Sequence, residues 1–150
     1  MEQTRVSDDT LMLAYKAINY YNYEMELNHV GITNKTEKQA LHFYQDFLGL
    51  EKTREILLAV ELSEQLFSLS QEIKVLVFEK PGIKIEVFIS DFQHAKPNFT
   101  HFGMMLDNFS EVTEKAQRSH VDLIIGKYKD KIVYFLKDFS GNLIEIKQKS

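Results

Sequence analysis

The chain has no cysteine, which excludes both a disulfide framework and a thiolate metal centre. That fits a reducing cytoplasm, the compartment expected for this protein. Arginine is scarce, with three residues at positions 5, 54 and 118, and the 18 basic side chains are scattered rather than bunched. Net charge is −4 with a pI near 5.7, so the chain carries no basic footprint for nucleic acid or an anionic membrane. No apolar run approaches the ~20 residues that span a bilayer. The opening MEQTRVSDDT is polar and acidic, unlike a secretory leader. The Asn-x-Ser/Thr triplets at Asn34, Asn98 and Asn108 are accordingly read as helix caps and chance. What is present is ordinary for a soluble domain: 150 residues, 44% hydrophobic and 27% charged. A chain of this size buries roughly 70% of its unfolded surface without staples.

Residues 1–24 differ from the rest. Ser7 or Asp8 is placed to cap a helix through Leu11, Leu13, Ala14, Ala17, Ile18 and Tyr21, so this segment is expected to be a helical extension. Residues 25–150 then state one pattern twice. Leu27–Ile32 reads as a strand, and Asn34 with Glu37 opens a helix whose apolar stripe is Ala40, Phe43, Tyr44, Phe47 and Leu48, ended by Gly49. Phe99–Met104 reads as a second such strand, followed by Asn108 with Glu111 and a stripe of Phe109, Val112, Thr113 and Ala116. Each helix leads into three strand-like runs: 53–62, 73–78 and 83–89 in the first half, then 121–128, 132–136 and 143–147 in the second. Pro81-Gly82, Lys129-Asp130 and Ser140-Gly141-Asn142 supply the turns. Residues 63–71 form an insertion of the first half only. The expected architecture is α+β: two paired βαβββ modules, 25–90 and 99–150, joined by a linker at 91–98, with a cleft between mixed sheets.

Strand alternation decides what lines that cleft. Val30 and Ile32 share one face, leaving His29 and Gly31 on the other; Phe102, Met104 and Leu106 likewise leave His101 and Gly103. Glu86 points opposite to Ile85 and Val87, and Glu145 opposite to Ile144 and Ile146. A lone strand histidine is usually a hydrogen-bonded surface residue, and a lone strand glutamate is usually solvated. Here both types recur at equivalent places, with a glycine two positions after each histidine. The pattern points to His29, Glu86, His101 and Glu145 as ligands of one divalent metal ion. Two imidazoles and two carboxylates suit Ni, Zn, Co, Mn or Fe, and leave one or two positions open.

The segments NHVGI, ALHFYQDFLGL, IKIEVFI, THFGM and FLKDFSGNLIEI resemble the vicinal-oxygen-chelate superfamily of glyoxalase, bleomycin-resistance and dioxygenase-like proteins. FYxDxLGL and DxxGNxIEI are the most specific parts, and the extension before Met25 lies outside the family pattern. The resemblance implies the same four ligands, a homodimer, and a metal-dependent isomerase or lyase that acts on a small chelating oxo-compound through an enediolate-type intermediate. By the same resemblance Glu86 or Glu145 is the catalytic base. A fourth protein ligand at Glu86 argues against an extradiol-type dioxygenase, and a non-catalytic small-molecule binder of the same fold is the other alternative. For the substrate wall the candidates are Arg54 on the second strand, with Phe88 and Met105, which share faces with Glu86 and His101; Phe67 is a further candidate. His42, His94 and His120 are expected to face solvent. No segment matches the carboxylate-binding arginines of a glutathione enzyme.

Overall fold

The computed structural model describes Asp9, residues 26–92 and residues 99–150. The rest of the extension up to Met25 and most of the linker, with His94, lie outside the described residues. The first module runs β1 (Val30–Asn34), α1 (Glu37–Ala40, continued as a π-helix over Leu41–Phe47), β2 (Glu51–Leu58), α2 (Val60–Phe67), β3 (Ile73–Lys80) and β4 (Ile83–Ile89). The second runs β5 (His101–Leu106), α3 (Phe109–Arg118), β6 (Asp122–Tyr128), β7 (Lys131–Lys137) and β8 (Leu143–Gln148).

Each module folds into a four-stranded mixed sheet, ordered β1-β4-β3-β2 in one and β5-β8-β7-β6 in the other. First and last strands pair in parallel, and the rest are antiparallel. The α+β class and the duplicated βαβββ topology are therefore as expected. Local details differ. Asn34 does not cap α1: it is fully buried at the end of β1, and Thr36 is the cap, its hydroxyl accepting from the Gln39 amide at 3.2 Å. Asn108 starts α3 without a side-chain cap bond. The second strand stops at Leu58, and the insertion is a helix that begins at Val60. The spacing of Val60, Ser63, Leu66 and Phe67 follows a helical period, which wins over strand propensity there. Gly49 ends the first helix at φ 71°, a backbone conformation glycine adopts at little steric cost.

The helix-bearing faces of both sheets share one core. Phe43, Tyr44, Phe47, Phe78, Ile85 and Val87 of the first module pack in the same cluster as Val112, Ala116, Leu136, Ile144 and Ile146 of the second. The seam is also polar. Asp138 is 3% exposed and accepts from the Tyr44 hydroxyl at 2.7 Å, from the Asn142 side-chain amide at 2.7 Å, and from the Ser140 and Asn142 backbone amides at 2.9 and 2.8 Å. Asn142 also donates to the Thr33 carbonyl at 2.8 Å, and the Asn34 amide nitrogen, turned to face Asp138, donates to it at 2.8 Å. Lys115 closes the other end by donating to the carbonyls of Asp46 and Phe47. The two family-like motifs, FYxDxLGL and DxxGNxIEI, thus meet each other: Tyr44 of one binds Asp138 of the other. The modules join through their helix sides. On the opposite face of the first sheet Val75 and Val77 are buried and α2 brings Phe67 against Phe88, while Met105, Ile124 and Val133 of the second are exposed.

Candidate metal centre

The face of each sheet away from the shared core carries one histidine–glutamate pair. Parallel pairing sets Glu86 opposite Gly31 and Glu145 opposite Gly103. Each glutamate therefore sits diagonally from the histidine two residues earlier, across a position with no side chain. His29 Nε2 lies 3.4 Å from Glu86 Oε2, and His101 Nε2 lies 3.9 Å from Glu145 Oε2. The histidines are about two-fifths exposed (41% and 40%) and the glutamates half that (20% each).

The other imidazole nitrogens fix the chemistry. His101 Nδ1 lies 2.8 Å from the Phe99 carbonyl. A carbonyl oxygen only accepts, so Nδ1 carries a proton and Nε2 is the nitrogen left to face the carboxylate. His29 Nδ1 faces Asn28 Oδ1 at 2.8 Å in the same manner. In both pairs Nε2 then faces a carboxylate oxygen, an arrangement that either a proton or a metal cation between the two would satisfy. Metal-ligating histidines are oriented in this way, through a bond from the second ring nitrogen. At ligand distances of about 2.0–2.2 Å, neighbouring donors on one ion stand roughly 3–3.5 Å apart. The His29–Glu86 separation fits that range, and the His101–Glu145 separation is wider.

The four residues do not gather within the single chain. Among the described residues, no three His, Asp or Glu side chains form a group able to hold a metal ion. The expected convergence of the four residues on one point is therefore not seen within the chain, where they stand as two separate His–Glu pairs, one per module. The reason is the seam: the modules share a core through their helix faces, which turns the ligand faces away from each other. A cavity of about 60 Å³ lined by His42, Asp46, Phe47, Lys115, Ser119 and Val121 lies at that seam. It has room for little more than water, and none of its lining residues belongs to a ligand face.

Register places the other candidates. Arg54 lies opposite Val77, and Val77 opposite Glu86, so Arg54 is on the ligand face, exposed, two strands from the pair. Phe88 follows Glu86 on that face, and its ring meets Phe67 edge-on at 5.3 Å. A Cβ on Gly31 would stand 3.4 Å from the Phe88 ring, so the glycine makes room for an aromatic wall. Met105 is on the His101 face and 57% exposed. His42 and His120 are exposed, as expected. Two residues escaped the sequence reading. Phe135 sits opposite Glu145 with its ring 5.1 Å from that of His101, and only the strand register reveals this. Lys147 places Nζ 3.2 Å from Glu145 Oε1, which its spacing of two from Glu145 did signal.

Comparison with known proteins decides the family. The model of the Glyoxalase/Bleomycin resistance protein/Dioxygenase superfamily matches residues 26–146. The chain belongs to this superfamily. Solved structures of superfamily members share its fold. A glyoxalase family protein from Enterococcus faecalis aligns at 21% identity over 85% of this chain and 98% of that one, with a TM-score of 0.60. The fosfomycin resistance protein FosX from Listeria monocytogenes aligns at 18% identity over 85% and 94%, also at 0.60. The trypanothione-dependent glyoxalase I from Leishmania major aligns at 13% identity over 83% and 87%, at 0.59. No curated protein sequence matches the chain. Among the described residues of this glyoxalase-superfamily chain, no helix is long and apolar enough to cross a membrane.

Proposed function

We propose that this glyoxalase-superfamily member is a divalent-metal-dependent enzyme of the isomerase or lyase type, and that two copies of the chain complete its site. The carrying observation is the repeated His–Glu pair, each histidine oriented through Nδ1 and each Nε2 facing a carboxylate. Each module offers half of an N2O2 set, its histidine 41% exposed in the first and 40% in the second. Exposed apolar side chains on these faces, Ile56 and Phe67 in the first module and Met105, Ile124 and Val133 in the second, support coverage by another copy. A two-fold dimer that lays module one of each copy over module two of the other makes two equal sites, each with His29, Glu86, His101 and Glu145. The lack of cysteine suits the reducing cytoplasm in which we place the protein.

A divalent ion bound there supplies Lewis-acid stabilisation of negative charge on adjacent substrate oxygens, worth several kcal/mol. The chain's own residues do the rest. His29 and His101 present Nε2 in fixed orientation. One glutamate takes the proton from the carbon beside the substrate carbonyl and returns it to the neighbouring carbon, with an enediolate form between. Among the described residues Glu86 Oε1 has no hydrogen bond or ion pair, whereas Glu145 has both oxygens engaged. Glu86 is thus the freer group, and we assign it the base role. Arg54, Phe88 and Met105 line the substrate side, and Glu86 facing His29 speaks against the two-His-one-carboxylate set of a dioxygenase.

The test mixes two inactive variants. His29→Ala and His101→Ala each remove one ligand from both sites of a dimer. In a mixed dimer one site carries both changes and the other none, so random mixing restores about a quarter of the metal sites. Recovery of metal uptake in the mixture is the expected result. Two variants that stay empty when mixed, with wild-type uptake intact, would place all four ligands in one chain.

A further inference from the structure

Lys147 is the feature of the ligand faces that the metal reading leaves unused. It follows Glu145 by two residues on β8, so both side chains leave the same face of the sheet. Its Nζ stands 3.2 Å from Glu145 Oε1, while Glu145 Oε2 is turned to His101. Met105 is its cross-strand neighbour on the same face, and 62% of the Lys147 side chain is exposed. An exposed ion pair of this kind adds little to folding. The lysine nevertheless brings a positive charge within one side-chain length of a proposed ligand, on the face where substrate would lie.

The charge balance gives this a direction. Two carboxylates, Glu86 and Glu145, neutralise a dication, so the ligand set with its ion is neutral. Lys147 from one module and Arg54 from the other then leave the surroundings positive. On the Arg54 face Glu79 accepts from Thr53 and pairs with Lys84, and Glu51 lies opposite Glu79 near the strand end; on the Lys147 face Asp122 pairs with Lys137. We infer that Lys147 recognises a substrate carrying a carboxylate or similar anionic group beside its chelating oxygens. Met105 and Phe135 supply the apolar floor next to it. The lysine is a specificity-determining residue: Glu145 holds it in place, and the substrate anion takes it over. This rests on the metal-site reading proposed above.

Calorimetry on the metal-loaded protein separates the two ideas. The probes are glycolate, which offers a hydroxyl and one carboxylate for chelation, and 2-hydroxymalonate, which adds a second, free carboxylate. For Lys147→Gln, 2-hydroxymalonate should bind roughly tenfold more weakly, with metal and glycolate affinities unchanged, and Lys147→Arg should restore most of the loss. Equal weakening of both anions, or loss of metal affinity, would mean that Lys147 only holds Glu145 and would overturn the inference. An unchanged affinity for 2-hydroxymalonate would overturn it as well. Failure of the wild-type protein to take up any divalent ion defeats the metal-site reading itself, and this inference with it.

Discussion

The two modules share a backbone plan and differ in what surrounds the shared chemistry. Both pair first and last strands in parallel with the same offset, so His29, Gly31 and Glu86 repeat as His101, Gly103 and Glu145. Around the first pair stand aromatic rings, Phe88 and Phe67, the latter delivered by the extra helix α2. Around the second stand a cation, Lys147, and the ring of Phe135. The helices differ too, a π-helix in one module and a regular α-helix in the other. Runs of π-helix are rare and concentrate at functional or strained places; here the run carries Phe43, Tyr44 and Phe47 into the seam. The constant parts are therefore the placing of the His–Glu pairs and the plan of the sheet, and the variable parts are the residues that surround each pair.

The largest effects should come from breaking what the modules have in common. Glu86→Ala and Glu145→Ala should each weaken metal binding by roughly 100-fold or more, since even outer-sphere partners are worth 10–100-fold. Dialysis with metal analysis reads this, and a variant of either that still binds as tightly as wild type would remove that glutamate from the ligand set. Asp138→Ala comes next. It strips the buried acceptor that serves both modules and leaves several donors unsatisfied, so urea unfolding should show a loss of about 3 kcal/mol. A loss below about 1 kcal/mol would mean that the seam is held by its apolar contacts alone.

Tyr44→Phe should be milder, about 1 kcal/mol at neutral pH, and it carries a pH signature. Burial, then the neighbouring Asp138 charge, pushes the Tyr44 hydroxyl well above its usual range near 10. A group whose folded pKa is raised stabilises the fold fully below its unfolded pKa, and that share is lost as pH rises towards the folded value. Wild-type stability should thus fall more steeply than that of the variant above about pH 10. Parallel curves would take Tyr44 out of the alkaline transition.

The smallest effect belongs to the first module alone. Hydrogen bonds from Lys74 and then Lys52 hold Glu37, at the start of α1, below its ordinary carboxylate range. The sign is opposite to that of Tyr44: this contribution is present above the unfolded pKa and lost as pH falls through the folded one. Glu37→Gln should flatten the acid limb slightly, and added salt should shrink the difference because the partners are partly exposed. A difference that grows with salt would contradict the ion-pair account.

Much of this is legible in the amino-acid sequence. The duplication shows in repeated apolar stripes and turns, and the ligand faces follow from strand alternation, a strictly local property. The same alternation places Phe88 and Met105 beside the pairs. Other features depend on partners distant in sequence. Asn34 reads as a helix cap because Asn is a good one and Glu37 follows, yet Asp138 of the other module draws its amide into the seam. Phe135 reaches His101 only through the β7–β8 register.

The sequence by itself determined which side chains share a face, because the period of a strand is a property of the chain. It also carried, in Tyr44, Asp138 and Asn142, the groups that weld the modules together. Only the tertiary structure decided which faces meet. A core forms where apolar area is largest: the helix sides closed on each other, and the two His–Glu pairs were left on separate faces away from that core.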